Sequence, residues 1–192
     1  MQFKPENQPF TCTNYNATTE KHGEKDVKVG DLKIEMALAN TILDAFGPDY
    51  RTFLYSKANE RRVKRDKDKP EQPDLMPTDG LTSLTHPNLE ALRLAEKFPG
   101  YTLAIETELG LTAPLMFKEV TLSAFVFNAM EGGTVRLTFN ARVKPSPEQS
   151  GALHFLSKEQ GRVTLTPPGA APQQAHIEGG DTLDQQHAAE AA

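Results

Sequence analysis

The residues able to do chemistry are thinly spread along this chain. Five histidines (His22, His86, His154, His176 and His187) lie far apart, and no two have the spacing of a metal site on a helix or a tight turn. Glu106 and Glu108 fall two apart on one face of an expected strand. Two carboxylates so placed can approach a hard cation but need further ligands from loops, and an acidic solvent face is the plainer reading. Cys12 is the single cysteine. It cannot form an internal disulfide or a cysteine zinc site, and it lacks the neighbouring positive charge that activates a thiolate. It reads as a small core or edge residue. The phosphate loop G-x-x-x-x-G-K-[ST], the dinucleotide fingerprint G-x-G-x-x-G and the nucleophile elbow G-x-S-x-G are all missing. These observations point away from an enzyme. They give no catalytic residue, no metal site and no cofactor.

Two other groups of residues have chemistry suited to binding. From Lys57 to Lys69 there are seven cations, including Arg61, Arg62, Lys64, Arg65, Lys67 and Lys69, against three acids. That is a surplus of four, so the rest of the chain carries −9 against −5 for the whole. Cations at this density can neutralise phosphates in a salt-sensitive way, meet an acidic protein surface, or simply keep a linker solvated. The second group lies in "NAMEGGTVRLTFNARV", residues 128 to 143. Thr134, Arg136, Thr138, Asn140 and Arg142 share one face of an alternating strand, and Val135, Leu137, Phe139, Ala141 and Val143 share the other. A sheet face carrying arginine and small polar groups can follow a nucleic-acid backbone, but single-strand binders also need aromatic platforms. Phe125 and Phe127 on the partner strand supply them only if exposed; a core role is the plainer expectation.

The elements that must position these residues are mostly strands. "FTCTNYNAT" (10–18) reads as a weak first strand, with "EKHGEKD" as a polar loop after it. "LKIEMAL" (32–38) alternates, with Leu32, Ile34, Met36 and Leu38 facing inward. Asn40 is a candidate helix N-cap before "TILDAFGPDYRTFLY", where Leu43, Phe46, Tyr50 and Phe53 recur at helical spacing. Gly47-Pro48 implies a kinked helix or two short ones, with Pro48 opening the second. Residues 57–88 carry Pro70, Pro73, Pro77 and Pro87 and few large apolar side chains, so a long basic, proline-rich loop insertion is expected. "LEALRLAE" and "YTLAIETEL" about "FPG" read as a hairpin. "FKEVTLSAFVFNA" and "TVRLTFNARV" about a glycine turn read as a second, longer one. "VTLSAFVF" is apolar on both faces and belongs in the middle of a sheet. Ser146, Pro147 and Gln149 spell a capping box for a short helix, and Gly161 and a last strand, "RVTLT", follow. From Pro167 the chain is polar and alanine-rich, as expected of a disordered tail over 167–192.

The expected architecture is therefore mainly β with minor α. It is an antiparallel β-sandwich or partly open barrel of about seven strands plus two short helical elements, in one domain spanning 1–166. Neither a signal peptide nor a run of about 18 apolar residues is present, which points to the cytoplasm.

"LKIEMALANTILDAF…YRTFLY" and "VTLSAFVFNAMEGGTVRLTFNARVKPSPEQSGAL…RVTL" resemble a family of small uncharacterised proteins encoded by tailed phages and prophages. The likeness covers roughly 30–56 and 115–166. Its motifs are architectural and carry over no site. It implies a phage setting: a protein acting in host cytoplasm on DNA metabolism or host machinery. Two functions follow as expectations. One is a non-enzymatic interaction protein acting on a host or phage protein, such as a defence complex. The other is an accessory protein of phage replication or recombination that binds single-stranded nucleic acid. Oligomeric state and sheet topology stay open.

Overall fold

The computed structural model describes residues 2–57, 80–107 and 113–169. The basic cluster beyond Lys57, Glu108 and the segment from 170 onward lie outside them.

Among the described residues there are nine strands: β1 Gln8–His22, β2 Lys25–Ala39, β3 Tyr55–Lys57, β4 Leu81–Leu84, β5 Leu92–Leu94, β6 Phe98–Thr107, β7 Leu115–Met130, β8 Thr134–Val143 and β9 Gln160–Thr166. A 3-10 turn spans Asn40–Ala45, and two α-helices, α1 and α2, span Tyr50–Leu54 and Pro147–Leu156. The fold is mainly β, as expected, and every pairing in the main sheet is antiparallel. The order β7–β6–β9–β1–β2–β8 closes on itself because β8 also pairs with β7. Six strands thus form a closed barrel with β5 as an extra strand, which agrees in outline with the partly open barrel expected; a sandwich is not what forms. Closure removes two sheet edges.

The pattern of the sequence explains the layering. Val135, Leu137, Phe139, Ala141 and Val143 of β8 point into the barrel, as do Leu32, Ile34, Met36 and Leu38 of β2. Strand β7 has a partner on each side, so it is central, and its inward Phe125 and Phe127 are buried. Phe125 stacks on Phe139 with ring centroids 5.3 Å apart, and Phe3, Phe46 and Phe98 close around it. Aromatic contacts of this type add to the burial of large apolar area. Phe3 is fully buried although it sits in a segment with no strand pattern.

Four local expectations change. The stretch 20–26 is a tight turn at Gly23-Glu24 rather than a loop, because β1 and β2 pair up to His22↔Lys25. "LEALRLAE" and "YTLAIETEL" do not form a hairpin: β5 and β6 both pair with β7, one after the other along the same edge. The chain therefore continues past "FPG" instead of reversing. Gly100, at φ +85°, sits where the β6–β7 register shifts, so the glycine marks an irregular strand. Within 57–88, Leu81–Leu84 is a strand that pairs with β3. Asn40 is not an N-cap. Ala39 holds that position without a side-chain bond, and buried Asn40 donates its Nδ2 to the Leu81 carbonyl at 2.6 Å.

Other expectations hold. The Gly47-Pro48 break does give two short helical pieces, although Asp49, not Pro48, borders α1. The break also shifts the helical phase, so Leu54 is buried and Phe53 is 47 % exposed. Helix α2 carries the full capping box, with Ser146 Oγ accepting from the Gln149 amide and the Gln149 side chain accepting from the Ser146 amide.

Candidate interaction surface

Outward-facing residues of five neighbouring strands form aligned cross-strand rows. Asn14, Lys33, Asn140 and Ser123 make one row across β1, β2, β8 and β7. Asn16, Asp31, Arg142 and Thr121 make the next. Glu35, Thr138, Val126 and Arg93 make a third across β2, β8, β7 and β5. Strict alternation on each strand puts these groups outside while their neighbours fill the core. Ala124, at φ +55°, lies where the β7–β8 register shifts, and this bulge dishes the surface. The resulting groove has a volume of about 530 Å³ and includes Asn14, Asn16, Lys33, Arg93 and Asn140 in its lining.

Both arginines singled out in the sequence lie on this face, at its margin. Arg142 donates through Nε and Nη2 to the two oxygens of Asp31, each at 2.8 Å, and through Nη1 to Glu20. The hydrogen bonds to Asp31 push its pKa upward from an already basic value. Arg136 stands 3.7 Å from Glu35. The strand pattern places these two cations correctly but cannot show that β1 and β2 bring acids beside them.

The groove's uncompensated charge comes from Lys33 and Arg93, whose side chains form no ion pair within the described residues. Sequence reasoning missed both. Lys33 looks like an ordinary wet-face residue of β2, and Arg93 lies in a segment whose pairing was misassigned. The signal that reveals them is the cross-strand register, which one sequence does not contain. By that register they stand roughly 15 Å apart, three inter-strand steps of about 4.8 Å and two residues along the strand.

The remaining candidates fall elsewhere. Arg61, Arg62, Lys64, Arg65, Lys67 and Lys69 lie outside the described residues. Phe125 and Phe127 are core residues and offer no platform for bases. Cys12 is buried. Its thiol is pushed up to about 11 by burial, opposed by its hydrogen bond to the Asn14 carbonyl. His154 is exposed on α2, edge-on to Tyr15 with centroids 4.8 Å apart. Among the described residues no group of three or more His, Cys, Asp or Glu side chains could hold a metal ion, and no helix is long and apolar enough to cross a membrane. Comparison with protein-family models, with curated proteins and with solved structures finds no match.

Proposed function

We propose that this is a non-enzymatic interaction protein of phage origin that acts on host machinery, with a host defence complex as a fitting target. It meets its protein partner through the outer face of β5, β7, β8, β2 and β1. The observation that supports this reading is the groove: amides and hydroxyls from several strands, two unpaired cations, and arginines already neutralised by their neighbours. Such a face offers many hydrogen bonds and little net charge, which suits a wet, polar protein interface more than a polyanion track. Its rigidity comes from the filled barrel behind it. The test is a pull-down from host lysate washed at high salt. The Lys33→Glu/Arg93→Glu double variant should lose the captured protein, and Arg162→Glu, on β9, should keep it. Equal capture by both would remove the groove from the contact.

A second reading, binding of single-stranded nucleic acid, draws on Lys33 and Arg93. Two cations roughly 15 Å apart with amides between them can bridge phosphates of an extended strand that crosses the sheet. Retardation of a labelled oligonucleotide at low salt, lost in the same double variant, would favour it over the protein reading.

A further inference from the structure

The charges of the outer groove are few and set apart. Lys33 and Arg93 are exposed, and neither has an ion-pair partner among the described residues. The carboxylates that flank Lys33 along β2 are already engaged. Asp31 accepts two hydrogen bonds from Arg142, and Glu35 stands 3.7 Å from Arg136. Between Lys33 and Arg93 the sheet presents Asn140, Thr138, Val126 and Ala124. That floor carries no charge, and Val126 and Ala124 make its middle apolar.

A complementary ligand therefore carries negative charge at two points and none between them. A nucleic-acid strand has a phosphate at every residue, and those over the middle would find neither a cation nor an aromatic platform. A polypeptide can place carboxylates at the two points alone. In an extended chain alternate side chains share a face. Acids four residues apart then lie about 14 Å from each other on one side, against roughly 15 Å between Lys33 and Arg93, a difference that long side chains absorb. A helix needs about ten residues for the same span and is about 10 Å wide. That is far more than a concavity of about 530 Å³ takes in.

We propose that the groove binds an extended acidic segment of a partner polypeptide, with carboxylates four residues apart on Lys33 and Arg93 and a small apolar residue midway, over Val126 and Ala124. The reading rests on the proposed role as an interaction protein and names the chemistry of its partner. Asn14 and Asn140 flank Lys33 in one cross-strand row. Each side-chain amide offers both donors and an acceptor, which suits the peptide groups of a chain lying across the strands.

The probe is the peptide acetyl-Thr-Glu-Thr-Val-Thr-Glu-Thr-amide, followed by amide NMR of the full chain at low salt. The Lys33, Arg93, Val126 and Asn140 signals should shift together. Glutamine at both acidic positions should weaken binding about tenfold, the loss of two exposed charge pairs. Glutamates only two residues apart, at the same net charge, should weaken it about threefold, the loss of one. Lys33→Glu/Arg93→Glu should reject the acidic peptide and bind the version with lysine in place of both glutamates, a rescue that an unfolded variant could not show. No shift at millimolar peptide, equal affinity for the glutamine version, or no exchange of preference in the double variant would each overturn the proposal. Shifts of the same signals by an oligothymidylate and not by the peptide would overturn it in favour of nucleic acid. Peptide binding in the groove without any captured host protein would leave the acidic segment standing and remove the proposed function. A host protein released by Lys33→Glu/Arg93→Glu, with no peptide bound, would do the reverse.

Discussion

Arg142 makes the most connected polar contact on the outer face, and its worth is bounded by its exposure. Its side chain is 46 % exposed and Asp31's is 28 %. Ion pairs this wet contribute little singly, although a bidentate geometry with a second carboxylate improves on that. A double-mutant cycle of Arg142→Ala and Asp31→Ala should return a coupling of about 1 kcal/mol in urea unfolding at low salt. The coupling should shrink as salt rises; one that is insensitive to salt would contradict an exposed pair. Cys12 behaves oppositely because it is buried. Its thiol titrates near 11 in the fold against 9.0 as its ordinary value, so the fold favours the protonated form. The stability this contributes is fully present below pH 9 and is lost as pH rises from 9 towards 11. Unfolding midpoints across that window should fall less steeply in Cys12→Ala than in wild type. A thiol reagent at pH 8 should leave the folded protein unlabelled. At this scale the sequence was a fair guide: it read Cys12 as a small core or edge residue, and it put the two arginines on the wet side. It could not reveal Lys33 and Arg93 as the unpaired cations, because charge pairing across a sheet depends on which strands become neighbours.

Among the elements, the β7–β8 hairpin was legible in full because its signals agree. Alternation, a Gly132-Gly133 turn with both glycines at positive φ, and a β7 rich in β-branched and aromatic residues all describe one structure. The β5–β6 segment was misread because alternation identifies a strand but not its partner. β4 was hidden by brevity, four residues inside a polar stretch. What fixes β3 and β4 against the barrel is tertiary. The Tyr55 hydroxyl donates to the Thr134 carbonyl and accepts from the Met130 amide at 3.1 Å, bracketing the β7–β8 turn. Gly132 and Glu131 bond in turn to the backbone of Thr82 and Leu84. Tyr55→Phe keeps the buried ring and strands both partners, which should cost about 2 kcal/mol. Amide exchange should quicken at Met130 and in β4 while β9 is unchanged. A loss spread evenly over the barrel would show that the two-stranded sheet is not a separate unit. Gly161 gives the complementary test on the other side. A Cβ there would sit 2.6 Å from the Glu106 carbonyl oxygen and 2.9 Å from the Phe10 ring. Gly161→Ala should therefore destabilise the β6–β9–β1 junction, visible as faster exchange in β9.

For the whole molecule the deciding quantity is the distribution of charge over a surface whose interior is already spent on packing. The chain carries −5 overall, and on this face Lys33 and Arg93 stand beside two arginines that are paired with three carboxylates. Each phosphate contact to a single strand contributes about 0.7 to the salt slope of binding, so Lys33 and Arg93 together account for about 1.4. That is a shallow dependence and a weak hold, with no exposed stacking platform from Phe125 or Phe127 to add to it. A labelled single-stranded oligonucleotide should therefore pass unretarded through a low-salt gel with the full chain. If it is retarded instead, the slope identifies the source. A slope that falls by about 1.4 in Lys33→Ala/Arg93→Ala assigns binding to the groove. A steeper slope, lost only when Arg61, Arg62, Lys64 and Arg65 become alanine, assigns it to the basic run. Either result would make nucleic acid the partner in place of a host protein, because charge-driven binding is strongest at low salt and a polar protein interface has no reason to hold an oligonucleotide there.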